Sequence, residues 1–205
     1  MTGRSPIRRR VLLAAGYLAA VTALPASAQP SRGPVRTRVE TALGAFVVEV
    51  NPAVAPITVA NYLAHVDGGF LDSGSVYRIV TLANQAAATT HKIEVVQWGR
   101  NEPEGKTPPF PPIAHETTQQ TGLRHRDGTV SMARSTPGSA SAEFFICIGD
   151  QPALDFGGGR NPDGQGFAAF GQVVEGMDVV RRLHAQGKPE QFLKAPIAVV
   201  RVRRI

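Results

Sequence analysis

Three stretches of this chain each set one hydrogen-bonding side chain among apolar, strand-forming neighbours. Ser75-Val76-Tyr77-Arg78-Ile79-Val80 holds an arginine, and Ile93-Glu94-Val95-Val96-Gln97-Trp98-Gly99 holds a glutamine. Glu143-Phe144-Phe145-Ile146-Cys147 opens on a carboxylate. A guanidinium is a permanent donor, and a glutamine amide both donates and accepts. The chemistry they suit is hydrogen bonding and charge stabilisation rather than nucleophilic attack. Period-two alternation puts Glu143 and Phe145 on one face of their strand and Phe144 with Ile146 on the other. One face therefore pairs an acid with an aromatic ring. Taken alone, Glu143 reads as a strand-entry residue exposed to water.

Other chemistries find little support. His65, His91, His115, His125 and His184 share no ligand-like spacing, and His115-Glu116 is a loop pair, so no metal site is expected. The glycine run after Phe156 lacks the Lys-Ser/Thr ending of a phosphate-binding loop. Asn161-Pro162-Asp163-Gly164 resembles part of a calcium loop without its later Glu. There is no G-x-S-x-G elbow. Cys147 is the single cysteine, so no intrachain disulfide can form, and its apolar strand predicts a buried, inert thiol.

The elements that must hold the polar trio are mostly short strands. Strands are predicted at 37–41 and 45–50, turning through Leu43-Gly44, with Pro52 and Pro56 ending the hairpin. Thr58 reads as the N-cap of a helix to about Val66, closed by Asp67-Gly68-Gly69, with Val59, Tyr62, Leu63 and Val66 on one stripe. Further strands are expected at 75–80, 92–97, 129–133, 143–148 and 197–202, and a second helix over 175–185. Its inward residues should be Met177, Val180 and Leu183 or His184. Arg201, Arg203 and Arg204 read as solvated charges on an edge strand. Five prolines between Pro103 and Pro112 require an extended loop, and 122–128 and 157–166 are loops as well. Many short strands with two helices suggest a closed β-barrel.

The basic charge is concentrated at the start. Arg4, Arg8, Arg9 and Arg10 precede the apolar run from Val11 to Leu24 and then Pro25-Ala26-Ser27-Ala28, with no acid before Glu40. That order is a positive region, a short apolar region and a small-residue cleavage site. Residues 1–28 are expected to be a signal peptide cleaved near Ala28/Gln29, and 29–36 a flexible tether. The run falls short of the roughly 20 residues a membrane span needs, so no span is expected after cleavage. Arg8-Arg9-Arg10 leaves general and twin-arginine export both open. Loss of those four arginines takes the formal net charge from +6 to +2, which gives no argument for a nucleic-acid partner. An exported, periplasmic monomer of one domain, residues 37–205, is the expectation.

The three stretches, with Ser131-Met132-Ala133 ahead of Phe144-Phe145-Ile146 and with Phe170-Gly171…Glu175-Gly176-Met177-Asp178-Val179-Val180, resemble the cyclophilin family of peptidyl-prolyl isomerases. The resemblance runs from about Thr37 to the C-terminus. It implies a mainly β fold, a closed eight-stranded antiparallel barrel capped by two α-helices, and no cofactor. It implies Arg78 as the catalytic donor to the prolyl nitrogen and Gln97 as the residue that orients it. Phe145 and Leu154 are then walls of the proline pocket. Ala133, Arg134 and Ser135 form the edge that pairs with substrate backbone. Departures also stand out. Val95 occupies a position where the family has Met, Glu94 one of Phe (with Ile93 able to swing into its space), and Phe167 one where many members have His. Ala153 stands where some have Trp, Glu143 where Gln is usual, and Trp98 for the first Gly after the Gln. Between Arg78 and Gln97 lie 18 residues, more than the family commonly has.

Rotation about an X–Pro bond is opposed by amide resonance, a barrier of about 18–20 kcal/mol. A donor aimed at the prolyl nitrogen, an apolar pocket for the ring and polar grips on the flanking backbone suffice to lower it. The expected function is thus isomerisation of X–Pro bonds in proline-containing segments of unfolded or exported proteins. The alternative is a cyclophilin-fold chaperone or adaptor that grips such segments without useful catalysis. Glu143 is expected to pair with the Arg78 guanidinium and restrain it. Residues 81–91 with Trp98 are expected to form a collar beside the pocket.

Overall fold

The computed structural model describes residues 33–100 and 108–205; the signal-peptide expectation and the first half of the tether lie outside them. Eight strands close into an antiparallel barrel in the order β1-β2-β7-β5-β6-β4-β3-β8. They are β1 (Val35–Thr41), β2 (Gly44–Val50), β3 (Ser75–Val80), β4 (Val95–Gly99), β5 (Thr129–Met132), β6 (Glu143–Cys147), β7 (Ala169–Glu175) and β8 (Phe192–Arg204). Two helices of more than one turn, α1 (Pro56–Asp67) and α3 (Met177–His184), pack on it, and a single turn, α2 (Thr118–Thr121), lies in a loop. Among the described residues no helix is long and apolar enough to cross a membrane.

Alternation along the strands sorts side chains into two apolar clusters. Inside the barrel, Phe46, Val96, Trp98, Phe144, Ile146 and Phe170 pack with Val59, Tyr62 and Leu63 of α1 and Val179, Val180 and Leu183 of α3. The rings meet edge-on or tilted: Phe46 on Trp98 at 6.3 Å and 86°, Tyr62 on Phe144 at 5.3 Å and 88°. Outside, Val80, Ile93, Val95, Phe145, Cys147 and Leu154 form a second cluster. Strands β4 and β6 are thus buried on both faces, and every β4 residue is buried.

Trp98 belongs to the inner cluster, 1% exposed, so it is not part of a collar. It follows Gln97, and alternation turns it inward. Its indole N–H is buried without a hydrogen-bond partner among the described residues.

Several boundaries differ from expectation. β1 takes in Val35 and Arg36, because Val35 pairs with Val50 and Arg36 with Glu49. β4 begins at Val95 rather than Lys92, α3 is shorter at both ends, and α2 was not foreseen. In α3 the buried residues are Val179, Val180 and Leu183, while Met177 and His184 are half-buried. β8 is longer than expected and is no edge: it pairs with β1 on one side and β3 on the other, closing the barrel. Its three arginines are exposed, and two are paired, Arg203 with Glu40 at 3.3 Å and Arg204 Nε with Asp67 at 2.7 Å. Gly176 precedes α3 with φ of 78°, and a Cβ there would stand 2.6 Å from the Ala45 carbonyl oxygen. Only glycine fits that turn of the Glu175-Gly176-Met177 motif.

Thr58 is not the helix cap. Pro56 occupies the first turn of α1, and the residue before it, Ala55, has no side chain able to cap. The cap comes from afar. The Glu116 carboxylate accepts the Ile57 N–H at 3.1 Å, and the Thr58 N–H and hydroxyl at 2.7 Å each. A buried anion on the positive end of a helix satisfies donors that otherwise have no partner. Replacing Glu116 by Ala should cost about 2 kcal/mol of stability, as loss of a strong cap does. Urea unfolding of the two proteins checks this; coincident midpoints would show that water caps α1 equally well.

Candidate active site

One cavity of about 570 Å³ lies on the outer face of β3, β4 and β6. All ten residues singled out in the sequence line it: Arg78, Val95, Gln97, Ala133, Arg134, Ser135, Glu143, Phe145, Leu154 and Phe167. The floor is the outer apolar cluster, and the polar groups stand at its rim. Among the described residues no three His, Cys, Asp or Glu side chains are placed to hold a metal ion.

Arg78 reaches the rim through a β-bulge. Val76 faces Trp98 and Arg78 faces Gln97, so Tyr77 and Arg78 together oppose a single residue of β4. Strict alternation would send one of the two into the core; the bulge leaves both half-buried at the outer face. The Arg78 guanidinium is held by neutral acceptors. Its Nε and Nη2 donate to Gln191 Oε1 at 3.1 and 2.6 Å, and Nη1 donates to Gln97 Oε1 at 3.1 Å. The ring of Phe192 lies 5.4 Å below it. Gln97 turns its other end to Tyr77, whose hydroxyl accepts from Nε2 at 2.5 Å. Gln191 is anchored by donating to the Asn84 carbonyl at 3.1 Å.

The expected Arg78–Glu143 pair does not form: the bonding partners of Arg78 are Gln191 and Gln97. Glu143 acts instead on Tyr77. Burial and then the nearby Glu143 carboxylate push the Tyr77 hydroxyl far above its ordinary range, against the Gln97 bond and the Arg78 charge. Tyr77 therefore stays protonated. Burial and the charge of Arg160 lower the Arg78 guanidinium from its ordinary value, against Tyr77 and Glu143. An arginine nonetheless remains a cation throughout the working range.

Phe145 is clamped from both sides. Phe167 meets it edge-on at 5.4 Å and 90°, and the His125 ring stacks on it at 5.9 Å and 16°. His125 is itself fixed by a chain of buried groups: Nδ1 lies 2.8 Å from Asp155 Oδ1 and Nε2 lies 2.9 Å from Ser131 Oγ. Asp155 Oδ1 accepts, so Nδ1 carries the proton, and the Ser131 hydroxyl donates to Nε2. Ser131 and His125 are sealed, at 0% and 1% exposed, so this chain supports the ring rather than attacking a substrate.

Arg134 has a structural task as well. Its Nη1 and Nη2 grip Asp163 at 2.8 and 3.0 Å, its Nε donates to the Gly166 carbonyl at 2.9 Å, and its guanidinium covers Phe167 at 5.2 Å. Asp163 is thereby committed to Arg134. Ala133 and Ser135 flank it, with Ser135 exposed and the Ala133 N–H donating to the Glu143 carbonyl. Glu94 is not in the cavity; its carboxylate lies 3.9 Å from His184, and Ile93 fills the apolar space instead. No residue of 81–91 lines the cavity, so the expected collar stands behind the rim. Tyr77, Gln191 and His125 were not singled out beforehand. Only Tyr77 carried a signal, as the neighbour of Arg78.

Burial acts to raise the Asp155 carboxyl, but the side-chain and backbone donors of His125, helped by Arg124, hold it below its ordinary value. Stability from a depressed carboxyl is present above the unfolded value and is lost as pH falls through the folded one. Asp155→Asn should cost about 1–3 kcal/mol at pH 7, and the gap to wild type should close in acid below the usual carboxylate range. Urea unfolding across pH tests this; a gap independent of pH would show that the Asp155 charge does not matter.

Comparison with known proteins bears on the same residues. The family model for cyclophilin type peptidyl-prolyl cis-trans isomerase/CLD matches residues 36–204. Peptidyl-prolyl cis-trans isomerase cyp18 of Streptomyces antibioticus is 37% identical over 142 residues, 68% of this chain and 77% of that protein. Peptidyl-prolyl cis-trans isomerase B of Escherichia coli K12 is 33% identical over 142 residues, 68% and 78% of the two chains. The fold matches a Cryptosporidium parvum cyclophilin type peptidyl-prolyl cis-trans isomerase with a TM-score of 0.65 at 17% identity, covering 84% of this chain and 98% of that one. A second structure of that protein, determined in the presence of the dipeptide Ala-Pro, gives a TM-score of 0.64 at 18% identity and covers 82% and 97%. With the barrel order, the strand motifs and a family match over nearly all the described residues, the chain belongs to the cyclophilin-type peptidyl-prolyl cis-trans isomerases.

Proposed function

We propose that the cavity is the catalytic site, with Arg78 as the donor to the prolyl nitrogen and the outer apolar cluster as the seat of the prolyl ring. The observation that carries this reading is the fixed guanidinium at the rim of an apolar floor, held by two neutral glutamine oxygens. A carboxylate partner would compete for the same donors; Gln97 and Gln191 orient the group and leave its charge uncancelled. As the amide twists, its nitrogen lone pair is freed from conjugation, and a guanidinium placed beside it stabilises that state more than the planar one. Phe145, Val95, Ile93, Leu154 and Phe167 supply the walls, and the 133–135 edge offers backbone groups to the substrate chain. The Cryptosporidium parvum protein solved with Ala-Pro agrees with a proline-containing ligand.

The alternative is a binding module without useful catalysis, and the departures that favour it are Val95 and Glu94, where the family has Met and Phe. Glu94 is turned away to His184, and Ile93 and Val95 are both buried in the floor.

The substrates in this reading are proline-containing segments of unfolded, exported proteins. The support is the N-terminal order of arginines, apolar run and small residues.

Arg78→Ala should lower turnover of a blocked X–Pro peptide roughly 100- to 1,000-fold with the fold retained, as loss of an aimed donor does. Gln191→Ala should lower kcat roughly tenfold with little change in KM, since it removes only an anchor of the Arg78 fork. NMR exchange spectroscopy on both isomers measures this. Full turnover by a folded Arg78→Ala protein would overturn the assignment.

Protein recovered from the cell envelope should begin near Gln29. An N-terminal sequence starting at Met1 in that fraction would overturn the export reading.

A further inference from the structure

Most arginines of the barrel have carboxylates: Arg36 has Glu49, Arg134 has Asp163, Arg181 has Asp127 and Arg204 has Asp67. Arg160, in the cavity wall, does not. Among the described residues its side-chain bonds run from Nη1 to Gln85 Oε1 at 3.2 Å and to the His91 carbonyl at 2.9 Å, both neutral acceptors. Its Nε and Nη2 donors make no bond within the described residues. Its backbone N–H donates to the Ala153 carbonyl at 3.1 Å, which fixes it beside the apolar wall at Leu154. The next residue, Asn161, also lines the cavity, and its amide Nδ2 is sealed from solvent with no acceptor.

The long connection between β3 and β4 is what holds this charge. Gln85 is locked by donating to the Thr81 and Ile93 carbonyls at 2.8 and 2.9 Å and by accepting the Ile93 N–H at 3.1 Å. Gly159 passes so close to His91 that a Cβ would stand 2.2 Å from its ring nitrogen. The preceding residue, Asn84, anchors Gln191 and through it Arg78. Two adjacent residues of one connection therefore position two guanidiniums on the same cavity. Both line the cavity and repel each other: after burial, the Arg160 charge is what lowers the Arg78 guanidinium. Glu143, the one acid in the lining, is engaged with Tyr77.

Two cations hydrogen-bonded only by neutral acceptors, with a donor lacking an acceptor at Asn161, make a receptor for a carboxylate. We propose that Arg160 forms an anion subsite beside the prolyl position, so that the protein favours proline segments in which a residue flanking the proline bears an acidic side chain. This rests on the cavity being the proline site.

The test uses blocked, amidated peptides identical except for Glu, Gln or Lys immediately before or immediately after the proline. Binding is titrated and exchange between isomers measured by NMR on the whole protein, its Arg160→Gln variant and its Arg160→Lys variant. In the wild type, Glu on one side of the proline should improve affinity and kcat/KM roughly fivefold to tenfold over Gln, with Lys worse than Gln. The preference should shrink in 1 M salt, where the screening length is about 3 Å. Arg160→Gln should bring the Glu-to-Gln ratio to near one, and Arg160→Lys should retain most of it. Equal handling of Glu, Gln and Lys peptides by wild type, on both sides of the proline, overturns the subsite while leaving the isomerase assignment intact. A preference unchanged in folded Arg160→Gln overturns the role of Arg160. A Glu preference in binding without turnover would uphold the subsite and overturn the catalytic reading, and failure to bind any peptide would overturn both.

Discussion

A strand in a closed barrel has two faces and no edge, and both faces of β4 and β6 are buried. That constraint organises the protein. Phe144, Ile146, Val96 and Trp98 fill the barrel, while Phe145, Cys147 and Val95 face out and are covered by Leu154 and Ile93. A slip of one residue in the register between β4 and β6 would exchange the two sets, sending Gln97 into the core and Trp98 to the rim. The packing that stabilises the fold therefore also sets the order of residues in the cavity. Core and site cannot drift independently.

Against this rigid backing, the polar rim is a sequence of short hydrogen bonds. Tyr77 joins Gln97, Gln97 joins Arg78, Arg78 joins Gln191, and Gln191 joins the carbonyl of Asn84. The acceptors along this line are neutral. A charged partner would fix Arg78 more tightly in water-poor surroundings, but it would also draw the guanidinium away from a substrate. Holding a cation by amides is a compromise: orientation is supplied and charge is left over. Arg134, by contrast, has a true ion pair to Asp163 and covers Phe167.

Much of this could be read from the chain. The family resemblance located ten of the residues that line the cavity, and alternation at 143–147 put Phe145 and Glu143 on one face. The misses share a cause. The bulge at Tyr77 breaks the period of two on which the reading depended. Gln191, 113 residues from Arg78, lies in a stretch without pattern. His125 looks like a loop histidine until its ring is seen stacked on Phe145. Glu116 caps a helix whose first-turn residue Ile57 lies 59 residues earlier. Trp98, a lone aromatic in place of a glycine, suggested an obstruction, but its direction is set by Gln97 beside it. Local pattern shows which face a residue takes; it does not show which distant group meets it there.

The seam that closes the barrel lies between its first and last strands, with Thr37 opposite Arg204 and Val39 opposite Val202. Until β8 arrives, β1 and β3 each present an open row of amide and carbonyl groups. No segment that ends before β8 can complete the cylinder, so a chain emerging from its N-terminus stays an incomplete sheet until β8 is free. Contacts this remote in sequence slow folding. The architecture itself thus withholds closure of the barrel, and with it the finished cavity wall at β3, until its first and last strands can meet.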